Sequence, residues 1–369
     1  MTLVFYISGH GFGHAARDLE VINAILQRRP DARIVVRSSV PQWFLEASAI
    51  GPIEIQRAET DPGAVQIDSL HLDEDQTARR AAGFYRDFDR RVRHEAAALR
   101  GLGATVVVGD IPPLAFAAAH EAAVPSVALG NFTWDWIYSS YPQFEQLAPG
   151  VIAIARNAYA LASQALRLPF HSGFEPMRSV TRDIPLVARR ARHTRDHVRR
   201  TLGLDGAGPI VLASFGGHGL HLPYSAIADQ GRFTLVLTDY EAGPREGGGG
   251  SVRLFTLREI AAHDLQYQDL VTMADVVVTK PGYGIVSECI VNGAALLYTS
   301  RGRFAEYDVF VEEMPHVLRC RFIPQEELLA GCWSDAIDRL LQQPPPMDRL
   351  ELNGHAVAAD AVLRAAASA

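Results

Sequence analysis

Lysine is almost absent from this 369-residue chain: Lys280 is the only one among 35 Lys and Arg residues. Cysteine is scarce as well. Cys289, Cys320 and Cys332 show no metal-ligand spacing and three thiols cannot all pair, which fits a reducing cytoplasm. No run of 18 apolar residues occurs, so no transmembrane helix is expected. No basic segment precedes the first apolar run, so no secretory signal is expected either. The net charge of −7 lacks the positive excess of a nucleic-acid binder. What remains is an ordinary soluble composition, 48% apolar and 21% charged, at a length that suggests two domains.

The sequence is organised around Ser8-Gly9-His10-Gly11-Phe12-Gly13-His14. Ahead of it, Leu3-Val4-Phe5-Tyr6-Ile7 reads as a buried parallel strand; behind it, Ala15 to Leu26 carries apolar residues at helical spacing. Strand, glycine-rich turn and helix open an α/β nucleotide-type domain, in which ligands lie beyond the carboxyl ends of the strands. Glycine allows close backbone approach, and the helix start offers free N–H groups. The third glycine comes one residue too early for the dinucleotide fingerprint G-x-G-x-x-G. Two histidines in the turn add candidate proton acceptors.

Further strands are read at Arg33–Arg37, Ile53–Ile55, Ala104–Asp110 and Ser126–Leu129, with a helix from Pro113 through His120. The stretch Ala58 to Asp75 reads as a long loop suited to substrate contacts. One charged helix is expected from about Thr77 to Leu99. Its arginines fit a solvated face, or else peripheral contact with an anionic acceptor or a membrane surface. Asp87-Phe88-Asp89 has the form of a D-x-D metal motif but falls inside this helix, and no metal site is assigned. Trp134 and Asp135, just past a strand end, either stack on a sugar or ring or close a core.

An inter-domain linker is read from Ile184 to about Arg200, after which the pattern restarts. Pro209–Phe215 is a strand and Gly216-Gly217-His218-Gly219 a second glycine turn. Strands follow at 233–237, 252–255, 274–279 and 295–298, a flexible loop at Gly247 to Gly250, a short helix from Asp264 to Met273, and a last helix from Gly354 to Ala367. Three features converge on a nucleotide diphosphate. The Gly216 turn offers backbone N–H groups, and Lys280 precedes a helix start at Gly282 to Gly284. Two helical turns on, Glu288 can accept ribose hydroxyls.

Lys280-Pro281-Gly282-Tyr283-Gly284-Ile285-Val286-Ser287-Glu288 resembles the donor site of GT-B glycosyltransferases of the MurG-like (family 28-type) and plant secondary-product groups. Lys280 replaces the plant His, and Gly284 and Ile285 replace Asn and Ser, which shifts phosphate binding toward charge and backbone. Nearly the whole chain is similar to the glycosyltransferase-like N-terminal domain of plant L-arabinokinases. Shared stretches are the Gly9-to-His14 turn, Gly63–Gln66, Asn131–Asp135, Pro185–Val187 and Gly282–Gly284. The kinase half has no counterpart here, so no sugar-kinase activity is implied.

The resemblance implies two Rossmann-like α/β domains facing across a cleft. Residues 1–185 form the acceptor domain, 186–350 the donor domain, and a C-terminal helix in 351–369 packs back on the first. It implies an inverting, metal-independent transferase with a nucleotide sugar, UDP-linked, as co-substrate and a hydroxyl acceptor. His14 matches the general base and Asp110 its partner acid, with His10 the rival base. Glu306 matches the acid that grips the donor sugar, although Tyr307 stands where the family has Gln. The acceptor side is expected at His10, Gly11, Asp68, Trp134 and Asp135. A hydrolase or 2-epimerase on the same fold, or a non-catalytic sugar-nucleotide binder, are the alternatives.

Overall fold

The apolar run at the N-terminus becomes strand β1 (Thr2–Ile7), buried on both faces. Leu3, Phe5 and Ile7 meet Leu19, Ile22 and Ile25 of helix α1 (Phe12–Arg28), while Val4 and Tyr6 face Ala96, Leu99 and Ala115 on the other side. Cover on both faces is what a parallel sheet needs, and it explains why the run does not alternate. The chain is described from a computed structural model, which covers residues 1–215, 220, 222–230, 232–238 and 251–368.

The first sheet holds β1, β2 (Arg33–Ser38), β3 (Glu54–Arg57), β6 (Val106–Asp110), β7 (Ser126–Gly130), β8 (Gln164–Arg167) and β9 (Thr181–Asp183). Its order is β3-β2-β1-β6-β7-β8-β9, all parallel. Strands β4 (Val65–Gln66) and β5 (Leu72–Asp73) form a separate antiparallel pair inside the stretch read as a loop. The second sheet holds β10 (Ile210–Ser214), β11 (Thr234–Thr238), β12 (Val252–Phe255), β13 (Val276–Thr279), β14 (Ala295–Tyr298) and β15 (Cys320–Phe322). It is parallel throughout, in the order β12-β11-β10-β13-β14-β15.

The charged helix expected from Thr77 to Leu99 is two helices. After α2 (Gln42–Ser48) come α3 (Glu74–Arg86) and α4 (Phe88–Leu102), broken at Asp87. Asp73 caps α3 by accepting from Gln76 N–H, and Asp87 pairs with Arg90, so the D-x-D segment is a helix junction.

Between the sheets, Ile184 to Thr194 is neither helix nor strand and leads into a helix at Arg195–Thr201. The last helix, Gly354–Ala367, packs on α1 with Ala358, Ala361 and Val362 buried, and Arg28 reaches Asp360 at 3.1 Å. Among the described residues no helix is long and apolar enough to cross a membrane.

Candidate active site

The carboxyl ends of the two sheets enclose a cleft of about 1490 Å³. On the first side, β1 and β6 are neighbours in register, Ile7 opposite Asp110, so the glycine turn after β1 meets the acid that ends β6. His14 sits in the first turn of α1, with its Nδ1 at 2.8 Å from Asp110 Oδ1. A proton on Nδ1 donated to that carboxylate leaves the Nε2 lone pair as the ring's acceptor, and His14 lines the cleft. Gly11 caps α1 at φ 82°, a left-handed conformation that suits glycine.

Arg17, one turn beyond His14, was not singled out from the sequence. Its guanidinium grips Asp110 with both arms, Nε to Oδ2 and Nη2 to Oδ1 at 2.5 Å each. Burial pushes the Asp110 carboxyl up, but Arg17 and then His14 outweigh it and hold the group below the usual carboxylate range. Arg17 Nη1 also donates to Asn131 Oδ1 at 2.7 Å, and Asn131 Nδ2 donates to Glu306 Oε1 at 2.8 Å. Glu306 belongs to the opposite side of the cleft, where Arg301 Nη1 lies 3.5 Å from its Oε2. A buried network thus runs from His14 across the cleft.

The two candidate bases are told apart by their partners. Ala64 N–H donates to His10 Nδ1 at 3.4 Å, so the proton of the neutral ring is on Nε2. Burial, with Arg301, His14 and Lys280 nearby, pushes the His10 pKa well down. His10 therefore presents a donor, while His14 presents an acceptor.

Lys280, Gly282, Tyr283 and Gly284 all line the cleft at the start of the helix Tyr283–Asn292, capped by Gly282. This helix start meets that of α1: a Cβ on Gly284 would stand 3.1 Å from Gly13 Cα. Tyr283 is buried, its hydroxyl accepting from Val187 N–H at 3.3 Å and its ring 4.8 Å from the Arg17 guanidinium carbon. Glu288 is buried and lines the cleft, with Oε1 accepting from Arg189 Nε at 2.6 Å. Burial raises its carboxyl, against the pull of Arg189. Gly216, Gly217 and His218 lie outside the described residues, as does the loop at Gly247 to Gly250.

Three residues expected on the acceptor side do not line the cleft. Asp68 is half-buried and closes its own turn, Oδ1 accepting from Leu70 N–H at 2.6 Å and His71 N–H at 2.9 Å. Trp134 is fully buried and stacks on Tyr138, with centroids 5.5 Å apart. Asp135 is buried beside Arg156, 3.0 Å from its Nε. The sequence placed Trp134 and Asp135 after a strand end, but the chain turns there into a helix whose indole closes a core.

Asp61 takes their place at the wall, in the stretch read as a substrate loop. It is buried yet lines the cleft, and its Oδ2 accepts from Trp134 Nε1 at 3.1 Å. Burial pushes its pKa up to about 6 against the pull of the Ser8 hydroxyl and His14. Among the described residues, no three His, Cys, Asp or Glu side chains stand together as metal ligands.

No protein-family model matches the chain. Over 376 residues, 97% of this chain, it is 28% identical to L-arabinokinase of Arabidopsis thaliana, and spans 34% of that protein. Among solved structures it is similar to CalG4, the calicheamicin glycosyltransferase, with a TM-score of 0.61 and 14% identity over 99% of this chain and 94% of that one. It is also similar to Phytolacca americana UGT2 complexed with UDP-2-fluoro-glucose and pterostilbene, with a TM-score of 0.58 and 13% identity over 100% and 94%. These likenesses show the fold: two Rossmann-like domains in the GT-B arrangement.

Proposed function

We propose that this chain is an inverting, metal-independent glycosyltransferase, moving a sugar from a UDP-linked donor to a hydroxyl acceptor. The observation that carries the reading is the His14–Asp110 pair facing Lys280 and a helix N-terminus across one cleft. His14 Nε2 takes the acceptor proton as the hydroxyl oxygen attacks the anomeric carbon. The bond from that carbon to the diphosphate breaks on the opposite face, which inverts the centre. Asp110 stabilises the imidazolium that forms. Lys280 and the N–H groups at Gly282 to Gly284 take up the charge of the leaving diphosphate, the role a metal fills elsewhere. Glu288 with Arg189 is assigned to the ribose and Glu306 to the donor sugar. The uridine assignment draws support from the UDP-sugar analogue that UGT2 holds.

His14→Ala is expected to lower transfer roughly 10²- to 10⁴-fold while leaving UDP affinity unchanged; unaltered turnover removes His14 as the base. A thermal-shift screen against UDP, GDP and dTDP, alone and as sugars, tests the nucleotide. Rapid consumption of a UDP-sugar with no acceptor present would instead favour a hydrolase or 2-epimerase. Binding with no turnover of any sugar would favour a non-catalytic sugar-nucleotide binder.

A further inference from the structure

His10 and Asp61 form a second polar corner of the cleft, which the proton transfer just described does not use. Trp134 stands behind both. Its ring meets the His10 ring edge-on with centroids 5.3 Å apart, and its Nε1–H donates to Asp61 Oδ2. Gly63, two residues after Asp61, lies against His10, where a Cβ would stand 3.3 Å from His10 Cβ. The Phe304 ring stacks on His10 from the donor domain, centroids 5.8 Å apart.

The corner is fixed in position, but its histidine donor is unsatisfied in hydrogen bonding. His10 Nε2 is buried without a hydrogen-bond partner, and Ala64 at Nδ1 makes it a donor. Asp61 is an acceptor when ionised, and both residues line the cleft beside His14. A buried donor left unpaired is destabilising, so the corner favours a ligand that fills it. A donor and an acceptor braced on one tryptophan in the same cleft match two neighbouring hydroxyls, one accepting from Nε2–H and the next donating to the carboxylate. An apolar ring would leave the His10 donor unpaired.

We propose that His10 and Asp61 are the acceptor subsite, and that the acceptor is a carbohydrate or polyol with adjacent hydroxyls. This rests on the glycosyl-transfer reading for the word acceptor, but not for the binding itself. The test titrates myo-inositol, D-glucose and 4-methylphenol into the UDP-saturated protein, followed by saturation-transfer NMR. The polyols are expected to bind and the phenol not to. Asp61→Asn and His10→Phe should each weaken polyol binding about tenfold or more with UDP affinity unchanged, which also shows that the variants fold. Binding of the phenol but neither polyol overturns the proposal, and so does polyol binding that both variants leave intact. Polyol binding that depends on Asp61 in a protein that ignores UDP would keep the subsite and sink the transfer reading.

Discussion

Arg17 and Asp61 each show how one buried side chain sets the electrostatics of the site. Asp110 is fully buried, and its charge is tolerated there because Arg17 holds both oxygens. Arg17→Met removes the guanidinium and leaves His14 as the remaining bonded partner, so folding stability is expected to fall by about 3–5 kcal/mol. Urea denaturation measures this, and a loss under about 1 kcal/mol would contradict the burial argument. Asp61 behaves in the opposite way. With its pKa pushed up to about 6, the folded protein keeps a proton that the unfolded chain has released. That contribution to stability is full below the unfolded value, about 3.9, and is lost as the pH rises through 6. Asp61→Asn is uncharged at every pH, so it should raise Tm above about pH 7 and change it little near pH 4. The gain is bounded near 3 kcal/mol, from about two pKa units at 1.36 each. A Tm difference that does not vary with pH would remove the carboxylate as its cause.

At the level of elements, the linker and the last helix make a contact that admits no extra atom. Gly354 opens that helix with its N–H donating to the Leu186 carbonyl at 3.1 Å, and a Cβ there would overlap the Pro185 carbonyl oxygen. Gly354→Ala must therefore lift the helix from the linker, at an expected cost of about 1–3 kcal/mol; an unchanged Tm would show that the segment yields freely. Both ends of this helix were readable from its apolar spacing. So were β1, β6, β10 and β13, because strands covered on both faces leave long apolar runs. Strands β8 and β9 left no such run: Gln164–Arg167 and Thr181–Asp183 are short, polar-ended and near the sheet edge. The break at Asp87 was hidden because the charged periodicity continues through it. His14 and Asp110 were matched to each other through the family resemblance, and they meet because strand ends in a parallel sheet converge on one edge. Arg17 and Asp61 were not, since an arginine on a helix and an aspartate in a loop gain meaning only from partners distant in sequence.

Across the whole molecule, polar contacts between the two domains are found at the site itself. Asn131 Nδ2 donates to Glu306 and Gln266 Nε2 to the Ala47 carbonyl, while Gly13 faces Gly284. The first of these belongs to the network that runs from His14 through Asp110 and Arg17. Glu306, assigned to the donor sugar, and His14, assigned to the acceptor proton, are thus oriented through one shared asparagine. Asn131→Ala frees an oxygen of Glu306 on one side and an arm of Arg17 on the other. Transfer should then lose kcat by about tenfold, with the KM for the donor moving much less, because the phosphate contacts at Lys280 are untouched. Glu306→Gln cuts the same link from the donor side. If the link is what matters, the double variant should be little worse than either single one, a coupling of about 0.5–3 kcal/mol in the activation free energies. Additive losses would mean that the two residues act separately and that the bond across the cleft is only structural.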